Sequence, residues 1–440
     1  MEGKETVNQL LDFIENSPSP FHAIANMKQG LDKAGYEQLL EGEEWELKKG
    51  GKYYVIRNQS SIIAFRIPMD GYLGFQIMAS HSDSPGFKIK ENPEMDVDGH
   101  YVKLNIEKYG GMLCAPWMDR PLSVAGRLIV KEGECLKTKL IDVDRDFCMI
   151  PNLAIHMNRK ANEELGCNAQ KDMLPLYGCE SAKGRFMEQI AKAAGVVKEN
   201  IVGKDLFLYN RMKGSIWGAE EEFLSIGRLD DLECAFASWK AFLEAEDGNS
   251  IPVHCVFDNE EVGSETKQGA GSTFLLDTLM RINENLGGTE SKYRQLLASS
   301  FMLSADNAHA VHPNQPDKTC PTNRTYLNGG IVVKYSANQK YTTDGMSAAV
   351  FAQICEKAGV PCQTFFNRSD MLGGSTLGNI SGTQVSLQTV DIGLPQLAMH
   401  SPYETGGVKD IEYLVQAAKI FFQASVVEIG DGTYQVKWNK

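Results

Sequence analysis

Five short apolar runs in this chain end on a histidine or a carboxylate. Residues 74–80 run into His81-Ser-Asp83, and residues 223–227 lead through Arg228-Leu229 to Asp230-Asp231. Residues 251–257 end in Asp258-Asn-Glu-Glu-Val-Gly263, residues 301–305 at Asp306, and residues 395–399 at His400. Apolar runs of this length, flanked by turn residues, predict buried strands. In an open α/β sheet, ligands bind outside the carboxyl ends of the strands, so these side chains are expected to converge on one crevice.

Charge makes the chemistry concrete. His81, Asp230 and Asp306 could hold one divalent ion, and Asp230, Glu261 and His400 a second, with Asp230 bridging. Two such ions facing three carboxylates and one hydroxide come close to neutral. Imidazole and carboxylate without thiolate suit Zn2+, with Co2+ or Mn2+ as alternatives. A pair of ions about 3.5–4 Å apart can activate a water and polarise a carbonyl. Glu260, beside a ligand but not needed as one, is the expected general base. Asp83, two residues after His81, is expected to hold the second imidazole N–H and fix its tautomer. A single His-x-Asp is commonly a surface or capping pair, and a single Glu-Glu a solvated helix face. Five such endings in an order that alternates strand with ligand are not explained that way.

Further motifs surround these endings. They are Ser17-Pro-Ser-Pro-Phe-His22, Trp117-Met-Asp-Arg120 with Ala125-Gly-Arg127, and Ile150-Pro-Asn-Leu-Ala-Ile-His156. Ser304-Ala-Asp306, Gly373-Gly-Ser-Thr376 and Met399-His-Ser-Pro-Tyr-Glu404 complete the set. With these motifs in this order, the chain resembles the M18 family of metalloaminopeptidases, the aspartyl aminopeptidases and their bacterial relatives. Two small departures, Asp231 where relatives also carry Asn and Asn152 where some carry His, are expected to touch no ligand.

The resemblance implies an α/β fold: an α/β/α sandwich metallopeptidase domain with an inserted β-rich dimerisation domain. Residues 1–91 and 225–440 are assigned to the catalytic domain and residues 92–224 to the insert. His309 is then expected to contact substrate, and His156 to reach from the insert into a neighbouring subunit's site. Lys334 and Tyr341 match positions lining the first substrate pocket, which implies a preference for N-terminal Asp or Glu. Spacing alone would read Lys334 as a strand lysine with its head in solvent, and His156 as a buried histidine in an apolar strand. The family further implies a homo-oligomer, a dodecamer built from dimers, acting on short peptides.

Elements that must position these residues follow from periodicity. One helical face (Leu10, Leu11, Phe13, Ile14) is stopped by Ser17-Pro-Ser-Pro20, and strands are predicted at 52–57, 61–67 and 72–79. Residues 82–229 hold no proposed ligand, and their β-rich pieces at 102–107, 123–131 and 136–143 suggest a barrel-like or sandwich insert with some helix near 182–194. From Leu232 onward strand and helix alternate, as in a sheet covered on both faces.

Composition excludes other classes. At 440 residues with 42% hydrophobic and 23% charged residues, the chain reads as a globular protein of two domains. A net charge of -13 with no basic stripe argues against a nucleic-acid partner. No stretch of 18 apolar residues occurs, so no membrane span is expected. The charged N-terminus lacks a signal core and the ten cysteines form no Cys-x-x-Cys, so reduced thiols in a cytoplasm are expected. Gly373-Gly-Ser-Thr-Leu-Gly378 lacks a P-loop ending and reads as a cleft-lining turn. His22, His100, His254 and His312 have no partner by spacing. Two rivals to an aminopeptidase stand beside it: another co-catalytic hydrolase, such as a deacylase or carboxypeptidase, and a non-catalytic metal-binding assembly. An unliganded Glu260 beside the metals speaks against the second.

Overall fold

The computed structural model describes residues 2–163 and 166–438. Its largest sheet has nine strands in the order Glu37–Leu39, Lys52–Arg57, Ser61–Arg66, Ile251–Phe257, Phe75–His81, Phe301–Ala305, Gln388–Gly393, Ile331–Tyr335 and Cys362–Phe366. The strands Ile251–Phe257, Phe75–His81, Phe301–Ala305 and Gln388–Gly393 run parallel. All residues of the first three are buried, the pattern demanded of parallel strands covered on both faces.

Because successive side chains point to opposite faces, each strand feeds two cores. Met78, Val256 and Leu303 pack with the helices Glu2–Glu15, Pro20–Lys33, Leu229–Glu244, Gly345–Ala358 and Asp410–Gln423. Ile77, Ala79, Cys255, Phe257 and Met302 pack with Phe274–Asn285 and Glu290–Ala298 on the other face. The result is the expected α/β/α sandwich. Leu229–Glu244 and Asp410–Gln423 lie against each other, with Phe242 and Phe422 meeting edge to face at 5.5 Å.

The insert is an antiparallel six-stranded sheet ordered Cys135–Asp142, Leu122–Glu132, Ile201–Asn210, Gly86–Val97, Tyr101–Tyr109 and Leu176–Cys179. It has its own core, in which Phe87, Leu104, Val124 and Leu206 meet Phe186 and Ile190 of the helix Phe186–Ala194. The extent of its sheet differs from the span of 92–224 expected for the insert. The insert's sheet begins at Gly86 and ends at Asn210, where Phe207↔Lys88 zips its two ends together. The following strands, Ser215–Trp217 and Phe223–Ile226, leave it for a five-stranded sheet with Glu404–Gly407, Pro395–Leu397 and Ala308–His309.

This third sheet also corrects the expectation of one open sheet. The runs leading to Asp230 and His400 belong to it, while His81, the Glu260-Glu261 turn and Asp306 follow strands of the nine-stranded sheet. Apolar runs report burial, not the strand with which they pair. Among the described residues, no helix is long and apolar enough to cross a membrane. All ten cysteines are free thiols.

Candidate metal centre

The parallel register Phe257↔His81 sets the turn after residue 257 beside the imidazole of His81. Three non-glycine residues with left-handed backbone then redirect the chain at the site: Arg228 (φ 64) ahead of Asp230, Asn259 (φ 64) ahead of Glu260, and His400 itself (φ 66). Such conformations are held only where surrounding contacts over-determine them.

The five expected ligands meet. His81 Nε2 lies 3.4 Å from Asp230 Oδ1 and 3.8 Å from Asp306 Oδ1. His400 Nε2 lies 3.4 Å from Asp230 Oδ2 and 3.4 Å from Glu261 Oε1. Each oxygen of Asp230 therefore faces a different imidazole. Ligands roughly 2.1 Å from a tetrahedral ion stand about 3.4 Å apart, so these spacings suit shared coordination better than direct hydrogen bonds. His81 Nε2, Asp230 Oδ1 and Glu261 Oε1 are buried without a hydrogen-bond partner, which is costly unless a cation satisfies them. The donor set fits divalent metal.

Electrostatics agree. Burial pushes the Glu260 carboxyl up to about 8, opposed by His81 and reinforced by Asp306 and Asp83. Burial, then Asp230, raises Glu261 well above the usual range. Burial would raise Asp230 too, but the imidazoles of His400 and His81 facing its two oxygens outweigh it and hold its carboxyl low. Positive charge in the site relieves this crowding of carboxylates.

The residues that orient the ligands differ in part from expectation. His81 Nδ1–H donates to the backbone carbonyl of Asp83 at 3.0 Å, while the nearer carboxylate oxygen of Asp83 is 3.4 Å away. That carboxylate instead accepts from the backbone N–H of Glu260 (3.1 Å) and Glu261 (3.2 Å) and from the Tyr109 hydroxyl (2.7 Å). A carboxylate with two free oxygens reaches the adjacent turn more easily than it folds back two residues. His400 Nδ1–H donates to the carbonyl of Gly111.

Three further residues were not given roles by the sequence. Glu404, buried, accepts from the backbone N–H of Asp230 (3.1 Å) and His400 (2.7 Å). Asn307 donates to Leu229 O, Glu233 and Gln396, each at 3.1 Å, tying together three ligand-bearing segments. Asp231 is fully buried within the ligand cluster and accepts from the backbone N–H of His81 at 3.1 Å, so it does touch a ligand. Its place directly after Asp230, and that of Glu404 in the His400 motif, were the available signals.

A cavity of about 360 Å³ opens over the cluster, its wall including Glu260, His309, Lys334, Tyr341 and Phe365. Lys334 is 2% exposed, not a solvated strand lysine. Its ammonium donates to Asp306 O (2.7 Å), Asp306 Oδ2 (3.3 Å) and Asn307 O (3.3 Å), and lies 5.2 Å from the Tyr341 ring centroid. Its nearest duty is thus to hold Asp306. His156 is absent from this cavity. It sits in an exposed stretch, residues 151–160, with Leu153, Ile155 and Met157 also exposed, and not in a buried strand.

A mixed sheet clad by helices, with carboxylates and imidazoles gathered where its strands meet those of a second sheet, has the make-up of a metallohydrolase. The sequence model described as Aminopeptidase I zinc metalloprotease (M18) matches residues 13–422, and the chain belongs to this family. It is 46% identical over 427 residues to a probable M18 family aminopeptidase 2 of Clostridium acetobutylicum, covering 95% of this chain and 98% of that one. Among solved structures, one of an Ape4 and Nbr1 complex superposes with a TM-score of 0.93 at 35% identity, covering 96% of this chain and 86% of that one. The mApe1 dodecamer of S. cerevisiae superposes with a TM-score of 0.83 at 28% identity, covering 94% and 95%. The chain is therefore a metalloaminopeptidase, a hydrolase.

Proposed function

We propose that the chain is a dinuclear aminopeptidase that releases N-terminal Asp or Glu from short peptides and works as a homo-oligomer. The observation that carries two ions is the pair of Asp230 oxygens, each 3.4 Å from a different imidazole. His81, Asp230 and Asp306 would hold one ion, and Asp230, Glu261 and His400 the other. Divalent ions bound there supply Lewis-acid polarisation of the scissile carbonyl and acidify a water. Glu260 takes the proton of the attacking water and delivers it to the leaving amine. The same carboxylate, facing the cavity, can accept from the substrate's α-ammonium. Zn2+ is the proposed native ion, and Co2+ and Mn2+ suit the same donors. A chelator is expected to remove activity, and titration with Zn2+ to restore it, reaching saturation at two ions per chain. Saturation at one would overturn the dinuclear reading.

Acidic preference rests on Lys334, the sole Lys or Arg among the described residues lining the cavity. Tyr341 and His309 share that wall. Since the ammonium is engaged by Asp306 and Asn307, its effect on a substrate carboxylate is largely that of a buried charge. Lys334→Met is therefore expected to lower kcat/KM on all substrates through Asp306, and by a further tenfold or so on Asp- and Glu-peptides. A loss of equal size on Leu- and Ala-peptides would sink the specificity role.

His156, exposed with apolar neighbours on the insert, is proposed to complete the site of another subunit in an assembly like the mApe1 dodecamer. Mixing His156→Phe with Glu260→Gln subunits should partly restore activity, because some sites inherit both intact groups. No restoration after demonstrated subunit exchange would exclude a shared site.

A further inference from the structure

The last strand residue before the insert's first long connection points back into the catalytic domain. Tyr109 ends the strand Tyr101–Tyr109, and its ring packs edge-on against Phe207 of the next but one strand, with centroids 5.6 Å apart at 86°. Its hydroxyl donates to Asp83 Oδ2 at 2.7 Å and accepts from Asn259 Nδ2 at 2.8 Å. Those partners flank the base: Asp83 binds the N–H groups of Glu260 and Glu261, and Asn259 is the left-handed residue preceding Glu260. Asn259 Oδ1 in turn accepts from Thr266 Oγ1 (2.9 Å) and Gln268 Nε2 (2.7 Å), so both sides of the turn are tied.

The chain then passes directly over the ligands. Gly110 has φ +75, and a Cβ there would lie 3.2 Å from both Cβ and O of Glu261. Gly111 accepts from His400 Nδ1–H, and Leu113 N–H donates to His400 O at 3.1 Å. A segment of the insert thus meets the base turn on one side and a ligand on the other.

We propose that Tyr109 is a positioning residue for Glu260: through Asp83 and Asn259, the inserted sheet aims the carboxylate that moves the proton. The inference rests on the reading of Glu260 as general base. Main-chain hydrogen bonds to Asp83 fix where the Glu260 backbone sits, and the hydroxyl of Tyr109 fixes Asp83. Without that hydroxyl, Asp83 keeps its place in the chain but loses one of the three donors that hold its carboxylate, the one that comes from outside the base turn. The carboxylate of Glu260 then samples orientations unsuited to proton transfer, and a displacement of this kind is felt in turnover more than in binding.

The test is Tyr109→Phe in the metal-loaded enzyme, alone and combined with Glu260→Gln. Phenylalanine keeps the packing on Phe207, so melting temperature and metal content should match the parent. Alone, the substitution is expected to lower kcat by about tenfold, with KM changed by less than about twofold. In the Glu260→Gln background, assayed at raised enzyme concentration, it should change the residual rate by less than about twofold, since the group it aims is gone. A kcat within about twofold of wild type, or equal losses in the two backgrounds, would overturn the proposal. If Glu260→Gln alone keeps full turnover, the general-base reading fails instead, whatever Tyr109→Phe does.

Discussion

Glu260→Gln is expected to lower kcat by about 10²–10⁴-fold while metal content stays at the wild-type level. Glutamine keeps the shape and the backbone N–H that Asp83 binds, so the turn is unchanged. What it loses is the ability to accept a proton. Glu260 can be replaced without disturbing the Asp230–Glu261–His400 set, of which it is not a member. It does group with His81 and Glu261, close enough to reach the cluster. KM should move far less than kcat, because the amide oxygen of glutamine can still accept from the substrate's α-ammonium while proton transfer is lost. Element analysis beside steady-state kinetics decides the matter. A variant that loses an ion yet keeps its rate per remaining ion would mean that Glu260 and Glu261 have exchanged roles.

Asp230→Ala is expected to have the greater effect: loss of both ions and a rate below that of Glu260→Gln. Both carboxylate oxygens face imidazoles, and the residue is 3% exposed, so no water-filled detour can replace it. Removing it leaves His81 with Asp306 in one half and His400 with Glu261 in the other, two ligands each, short of what a stable zinc site uses. The fold should survive, since the Glu404 contact is to the backbone N–H of Asp230. Asp306→Ala and Glu261→Ala should each cost mainly one ion per chain. Metal content measured after dialysis discriminates these outcomes. An Asp230→Ala protein that retains two ions would dismiss the bridge.

The candidate site was legible in the sequence because its members are residues of ligand type at the end of a buried run. His81, Asp230, Glu261, Asp306 and His400 each follow an apolar segment, and a chain that buries such runs must bring their ends to the edge of a core. The near-continuous apolar runs at 75–81 and 251–257 likewise announce strands with two covered faces, and the helix 229–244 follows from apolar residues at helical spacing. The ligand-free stretch 82–229 announced an insert with strands near their observed positions.

What the sequence left open depends on partners distant along the chain. The third sheet exists because Phe223–Ile226 pairs with Glu404–Gly407, a choice that hydrophobic pattern does not encode. Asp83 looked like a partner for His81 at a spacing of two residues, yet its carboxylate turns to Glu260, Glu261 and Tyr109, which only folding brings near. Spacing alone read Lys334 as solvated, since a lysine on a strand commonly is, but the strand Ile331–Tyr335, second from the edge of the nine-stranded sheet, sets its ammonium against Asp306. The apolar run ending in His156 read as a buried strand and is an exposed loop. Residue type and local period thus determined which groups gather at the candidate site and which runs must be buried. Hydrogen bonds between segments far apart in sequence decided how each group is oriented, because that geometry belongs to the pairing of segments and to neither segment alone.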